Sequence, residues 1–181
     1  MYKIKEETTL NNKILIVYFS HKGENYVNGK IKNLNVGNTE IVAKKIQSIV
    51  GGDLFEIVCE KPYPQNYKEC TEQAQNELRQ NIRPKIVGNI LDISKYEVVY
   101  IGYPNWWSTM PMPVFTFLES YDFSNKIIRP FCTHEGSKMG KSESDIKVLC
   151  PDSIVFKGLP IWGSKVSQDD KELYEWITSS I

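Results

Sequence analysis

Apolar residues along the chain gather in short blocks separated by longer stretches with helical spacing. Ile14-Leu15-Ile16-Val17-Tyr18-Phe19 is a continuous apolar run, right for a strand buried on both faces and too short to span a membrane. Asp53 to Cys59 predicts a second strand, Glu97 to Gly102 a third and Lys126 to Cys132 a fourth. Ile154-Val155-Phe156 opens a fifth. Helical spacing follows each one. From about Thr39 to Val50, the residues Val42, Ala43, Ile46, Ile49 and Val50 fall on one face, and Gly51-Gly52 supplies the stop. Tyr67 to Gln80 places Tyr67, Cys70, Ala74 and Leu78 together, with Arg83-Pro84 as the terminator. Pro111 and Pro113 suit a first turn that presents Val114, Phe115, Phe117 and Leu118. Ser142 to Leu149 is the fourth helix. Ser167-Gln168-Asp169-Asp170 has the form of a capping box for the last, which turns Leu173, Trp176 and Ile177 inward.

Strand and helix thus alternate five times, the pattern of an α/β fold with a parallel sheet covered on both faces. Five strands suit an open doubly wound sheet better than a closed barrel. Met1 to Asn12 is polar and charged and reads as a tail preceding one domain over 13–181. Lys85 to Tyr96 is a polar connection whose Ile90, Leu91 and Ile93 pack under the sheet. His21 to Val36 is a long loop for a strand-to-helix joint, which usually takes about 2–6 residues.

Composition narrows the functional classes. Lys+Arg 22 against Asp+Glu 22 gives no net charge and no nucleic-acid footprint. No secretory leader and no membrane span are visible. Cys59, Cys70, Cys132 and Cys150 are scattered without metal or redox spacing, so reduced thiols in a cytoplasmic protein are expected, with no metal.

Candidate chemistry lies in the loops after strands one, three and four, which open on the same edge of such a sheet. After strand one, a helix N-terminus at Gly37-Asn38-Thr39 points toward Ser20. Unpaired N–H groups, the helix dipole and hydroxyls of Ser20 and Thr39 then form an anion site, or alternatively an ordinary cap. After strand three come Tyr103-Pro104-Asn105-Trp106-Trp107-Ser108-Thr109-Met110-Pro111. Two adjacent indoles do not easily face one way. One anchors the loop and the other offers a platform for a flat ligand, or both anchor it. After strand four, Thr133-His134-Glu135-Gly136-Ser137-Lys138-Met139-Gly140 brings backbone N–H groups and His134, a candidate proton donor or a loop histidine without a role. Gly140-Lys141-Ser142 ends a segment like a nucleotide phosphate loop, but three rather than four residues separate Gly136 and Gly140.

These blocks resemble the flavodoxin-like proteins that bind flavin mononucleotide (FMN). The likeness rests on Val17-Tyr18-Phe19-Ser20, Gly37-Asn38-Thr39-Glu40, Gly102 to Pro111, and Pro130-Phe131-Cys132-Thr133-His134-Glu135-Gly136-Ser137. The resemblance implies a five-stranded sheet of order 2-1-3-4-5. It implies that Ser20, Lys22, Asn38 and Thr39 hold the FMN phosphate. Pro104, Asn105, Trp106, Trp107, Ser108 and Thr109 would border the flavin ring, and Thr133, His134, Glu135, Gly136 and Ser137 would reach its pyrimidine side. Three features depart from the family. An insertion from about Glu24 to Val36 interrupts the phosphate loop, and its Tyr26 either folds over the flavin or packs the insertion. No glycine occurs in Tyr103 to Pro111. The chain is neutral where the well-studied carriers are acidic. The expected function is electron transfer through FMN with a redox partner protein. The alternatives are an NAD(P)H-dependent oxidoreductase acting on quinones or similar acceptors, in which His134 or Tyr26 positions substrate, and a flavodoxin-fold module that has lost FMN.

Overall fold

The computed structural model describes residues 13–90, 92–168 and 170–179. The tail before Lys13, Leu91 and Asp169 lie outside the described residues. Five parallel positions make the central sheet. Strand β1 (Ile14–Tyr18) pairs on one side with β4 (Asp53–Glu56) and on the other with β7 (Val98–Pro104). Next comes β8 (Ile127–His134), and the last position is shared by β9 (Ile154–Val155) and β10 (Leu159–Trp162), which pair successively along β8. Counting positions in chain order gives 2-1-3-4-5, the order expected.

The alternation of side chains along β1 builds two cores. Leu15 and Val17 point to the face covered by α2 (Tyr67–Gln80), α3 (Met112–Glu119) and α4 (Ser142–Leu149). Ile16 and Tyr18 point to the face covered by α1 (Asn38–Val50) and α5 (Lys171–Thr178). Ile16, Val17, Ile101 and Ile128 are sealed from solvent, and such burial contributes roughly 1.5–3 kcal/mol per side chain. A strand buried on both faces has no solvent-facing side, which is why the β1 run is continuous rather than alternating.

Several local expectations are corrected. The long loop after β1 is an antiparallel hairpin, β2 (Gly23–Val27) with β3 (Lys30–Leu34). Asp53 to Cys59 is not one strand. It leaves the sheet at Ile57, and β5 (Val58–Cys59) pairs with β6 (Ile86–Val87) in a separate ribbon. Strand β8 runs on to His134, so Thr133 and His134 are buried strand residues rather than loop residues. Helix α2 does end at Gln80, but Asn81 stops it in the left-handed conformation, ahead of Pro84. Ile49 on α1 is exposed. Of the expected capping box, Asp169 lies outside the described residues. Helix α5 begins at Lys171, and Asp170 makes no cap bond but pairs with Lys45 at 2.5 Å. No helix among the described residues is long and apolar enough to cross a membrane.

Candidate functional site

The first wall is the N-terminus of α1. Gly37 precedes the helix in extended backbone, and the first-turn N–H groups of a helix have no carbonyl four residues back. The N–H of Glu40 donates to Ser20 Oγ at 3.0 Å, so the hydroxyl at the end of β1 caps the helix across the hairpin insertion. Gly37 is needed for that approach, since a Cβ there would sit 2.2 Å from Ser20 Oγ. Thr39 and Thr133 share a buried hydroxyl–hydroxyl bond of 2.7 Å, which ties α1 to the end of β8.

The second wall is the tight hairpin after β7. Trp106 and Thr109 exchange both backbone bonds, 2.9 and 3.2 Å, and the two residues between them have positive φ, 54° for Trp107 and 66° for Ser108. That is the two-residue turn in which Asn-Gly is the ordinary choice, so a tryptophan here is held under strain. The two indoles separate as their adjacency required. Trp106 packs edge-on against Phe19, His21 and Tyr63, with ring centroids 5.4, 5.7 and 5.1 Å away. Behind it, the Tyr63 hydroxyl donates to the buried carboxylate of Glu77. Trp107 stands 46 % exposed and donates its Nε1–H to the Thr71 carbonyl of α2 at 3.0 Å. Asn105 locks this turn to the next loop, accepting from Ser108 N–H and donating to the Lys138 carbonyl.

The third wall follows β8. His134 Nδ1 accepts the Gly136 N–H at 2.8 Å, which places the proton of the neutral ring on Nε2. Burial lowers the pKa of His134, against the raising field of Glu135 and with the lowering field of Lys138. His21 is likewise buried and its pKa lowered. Its Nε2–H donates to the Pro64 carbonyl at 3.0 Å.

The hairpin is a fourth wall. Asn28 and Gly29 both have positive φ, the two-residue turn that an Asn-Gly pair encodes. That dipeptide, between Val27 and Lys30, was the legible signal for it. Its base is fixed by Glu24, whose carboxylate accepts from Asn66 Nδ2 at 2.9 Å and from Tyr67 N–H at 2.8 Å at the start of α2. Its tip is fixed by Glu135, which accepts the N–H of Asn28 at 3.0 Å and that of Ser164 at 2.5 Å. Gly163, just after β10, completes the corner. A Cβ there would lie 2.6 Å from Asn38 Nδ2 and 2.9 Å from Glu135 Oε1.

These walls enclose a cavity of about 340 Å³ beyond the carboxyl ends of β1, β7 and β8, where the strand order reverses. Of the residues singled out in the sequence, Asn38, Thr39, Pro104, Asn105, Trp106, Trp107, Thr133, His134, Glu135 and Ser137 line it. His21 and Tyr26 line it too, as do Tyr67 and Ala74, read in the sequence only as a helix face, and Asn25, Thr71 and Gly163, which did not stand out there. Ser20 and Gly136 stand behind the lining as partners of Glu40 and His134. Lys22 is exposed outside it, with its field acting on Glu56. Ser108 holds the turn, and Thr109 is buried against Asp145. The four cysteines are buried free thiols, and burial pushes Cys59 and Cys70 up to about 12.

Among solved structures, the chain is similar to a candidate flavoprotein from Bacteroides eggerthii DSM 20697, at 30% identity and TM-score 0.73, over 91% of this chain and 95% of that one. A candidate flavoprotein from Bacteroides uniformis ATCC 8492 is 25% identical with TM-score 0.72, over 93% and 99%. A flavoprotein from Lactobacillus acidophilus NCFM, solved in complex with FMN, shares the fold at 22% identity and TM-score 0.63, over 91% and 98%. No curated protein matches the sequence significantly. The sequence profile of the flavodoxins matches residues 13–180. The chain belongs to the flavodoxin family.

Proposed function

We propose that this protein is an FMN-dependent electron-transfer protein. The observation that carries the reading is the convergence of three complementary walls on one cavity: the α1 N-terminus, the Trp106–Trp107 turn and the polar end of β8. The cofactor is FMN, a molecule with a phosphate, a planar ring and a polar pyrimidine edge. The cavity volume falls in the range of small-molecule sites, about 300–1,000 Å³. Gly37 and Gly163 keep the backbone close at the α1 end, where a Cβ would collide with Ser20 or Asn38.

Bound FMN supplies the redox chemistry. The protein's part is binding and orientation. Asn38, Thr39 and the first-turn N–H groups of α1 would hold the phosphate, with Ser20 keeping the helix end in place. Trp107 and Tyr26 offer aromatic surface to the ring. Thr133 and Ser137 offer hydrogen bonds to its polar edge, and His134 a proton on Nε2.

A second reading, an NAD(P)H-dependent oxidoreductase, is favoured by the zero net charge, which sets this chain apart from acidic carriers. Adding NADPH to the FMN-loaded protein separates the two. Bleaching only in the presence of a separate reductase is the outcome expected for a carrier, and rapid bleaching by NADPH alone would establish the enzyme instead. A protein that holds no flavin would contradict both and leave a fold that has lost its cofactor.

A further inference from the structure

We infer that the mouth of this cavity is a basic docking face for an acidic electron-transfer protein, an inference that rests on the FMN reading. Zero net charge still allows a local cluster of lysines. Lys30 and Lys32 are exposed on β3, and Lys32 lies in register with Asn25 of the cavity lining. Lys138 follows Ser137 of the lining, and its field reaches His134. Lys165 stands 5.9 Å from the ring of Trp162, which itself packs on His134 at 4.9 Å. Among the described residues, none of these four lysines has a carboxylate within 4.0 Å.

The two carboxylates in the same segments, Glu24 and Glu135, are engaged with N–H groups of Asn66, Tyr67, Asn28 and Ser164. They lower the positive field without covering the lysines. At the other end of the strands the exposed Asp92, Asp122 and Asp152 stand with Lys13 and Lys95, which pair with Glu97 and Asp53. Exposed aromatic surface lies on the cavity rim, with Tyr26 and Trp107 each 46 % exposed and Trp162 43 %. Large amphipathic rings amid charges are the usual makings of a contact surface.

The lysines come from three separate segments and surround the mouth rather than converging on one point. That spread fits the broad face of an acidic protein better than the phosphates of a dinucleotide. Opposite charges of this kind steer encounter and are screened by salt.

The test uses FMN-loaded, fully reduced protein and two protein oxidants of opposite charge, acidic rubredoxin and basic mitochondrial cytochrome c. Each metal centre takes one electron, Fe(III) becoming Fe(II), so two are consumed per flavin and the flavin's protons pass to solvent. The rubredoxin rate is expected to fall about tenfold between about 20 and 300 mM salt, and the cytochrome c rate is not. Lys30→Glu with Lys32→Glu should cut the low-salt rubredoxin rate about tenfold and leave FMN affinity within about twofold. A cytochrome c rate that salt suppresses, or a rubredoxin rate unmoved by the double variant, would overturn the inference. So would NADPH oxidation that is lost in the variant, because the rim would then hold a dinucleotide.

A flavin-free arm isolates the rim's charge. Iodide quenching of tryptophan fluorescence, normalised to acrylamide, should fall about twofold in the double variant while caesium quenching rises. Unchanged iodide quenching would overturn the basic rim alone. Absence of bound flavin would overturn the cofactor reading and the electron-transfer role with it.

Discussion

The carboxylate of Glu135 accepts the backbone N–H of Asn28 at 3.0 Å across 107 positions of sequence. Its other oxygen takes the N–H of Ser164, so one side chain joins the hairpin tip, the end of β8 and the corner after β10. Glu135→Ala should free the tip. Trypsin should then cut faster after Lys30 and Lys32, and FMN should leave about tenfold faster, as expected for losing hydrogen bonds to a charged acceptor. Glu135→Gln keeps one acceptor oxygen and should fall between. Stopped-flow displacement of FMN and timed proteolysis measure both effects, and unchanged dissociation in Glu135→Ala would remove the clamp.

Ser108 sits at φ 66° beside Trp107 at φ 54°. Left-handed backbone costs a non-glycine residue about 1 kcal/mol or more. Ser108→Gly should therefore stabilise the fold by up to about 1 kcal/mol, a rise of roughly 2–4 °C in Tm for a chain of this size. Calorimetry decides it, and a lower Tm would mean that the turn is not strained.

Arg129 on β8 is buried and caps the end of α5. Its guanidinium donates to the carbonyls of Ile177 at 2.7 Å, Trp176 at 3.2 Å and Ser179 at 2.9 Å, and lies 4.2 Å from the Phe156 ring centre. A helix C-terminus leaves its last carbonyls without intrahelical partners, and Arg129 meets that of Ile177, while the Trp176 carbonyl also accepts from Ser179. Arg129→Met keeps a long side chain and strands the Ile177 carbonyl. It should cost roughly 2–4 kcal/mol, read as a lower urea midpoint and lost helical circular dichroism.

Burial lowers the pKa of both His21 and His134 below the ordinary 6.5. Between the folded and unfolded values, the unfolded chain binds more protons, so stability rises with pH through that window. The contribution is full above about 6.5 and is lost as pH falls toward the folded values. Urea midpoints should fall between about pH 7 and 5. His21→Gln with His134→Asn, which reproduce the Nε2 donor and the Nδ1 acceptor, should flatten that slope.

The sheet was legible because a strand buried on both faces favours apolar residues, as Leu15 through Tyr18 show. The α1 end was legible because Gly37, Asn38 and Thr39 have the chemistry of a helix start, and that start lines the cavity. That the adjacent indoles part was legible in their adjacency, but that Trp107 is the outward one was not. The hairpin was hidden because only Val27 of its ten strand residues, with Gly23, is buried. Without an apolar stripe, only Asn28-Gly29 marked it. Gly163 carried no local signal at all. Its need for a bare Cα arises from Asn38 and Glu135, both distant in sequence. The start of α5 at Lys171 was not legible, and the pairing of Asp170 with Lys45 on α1 is a tertiary contact that local spacing does not encode.

The most direct measurement is a titration of the purified protein with FMN, followed in visible absorption and tryptophan fluorescence and then desalted. The account predicts one FMN per chain at about micromolar affinity or tighter, with shifted flavin bands, quenched tryptophan emission and flavin retained through the column. It also predicts that Thr39→Val, at the α1 end, weakens binding about tenfold. A spectrum identical to free FMN, with all flavin lost on desalting, would contradict the account.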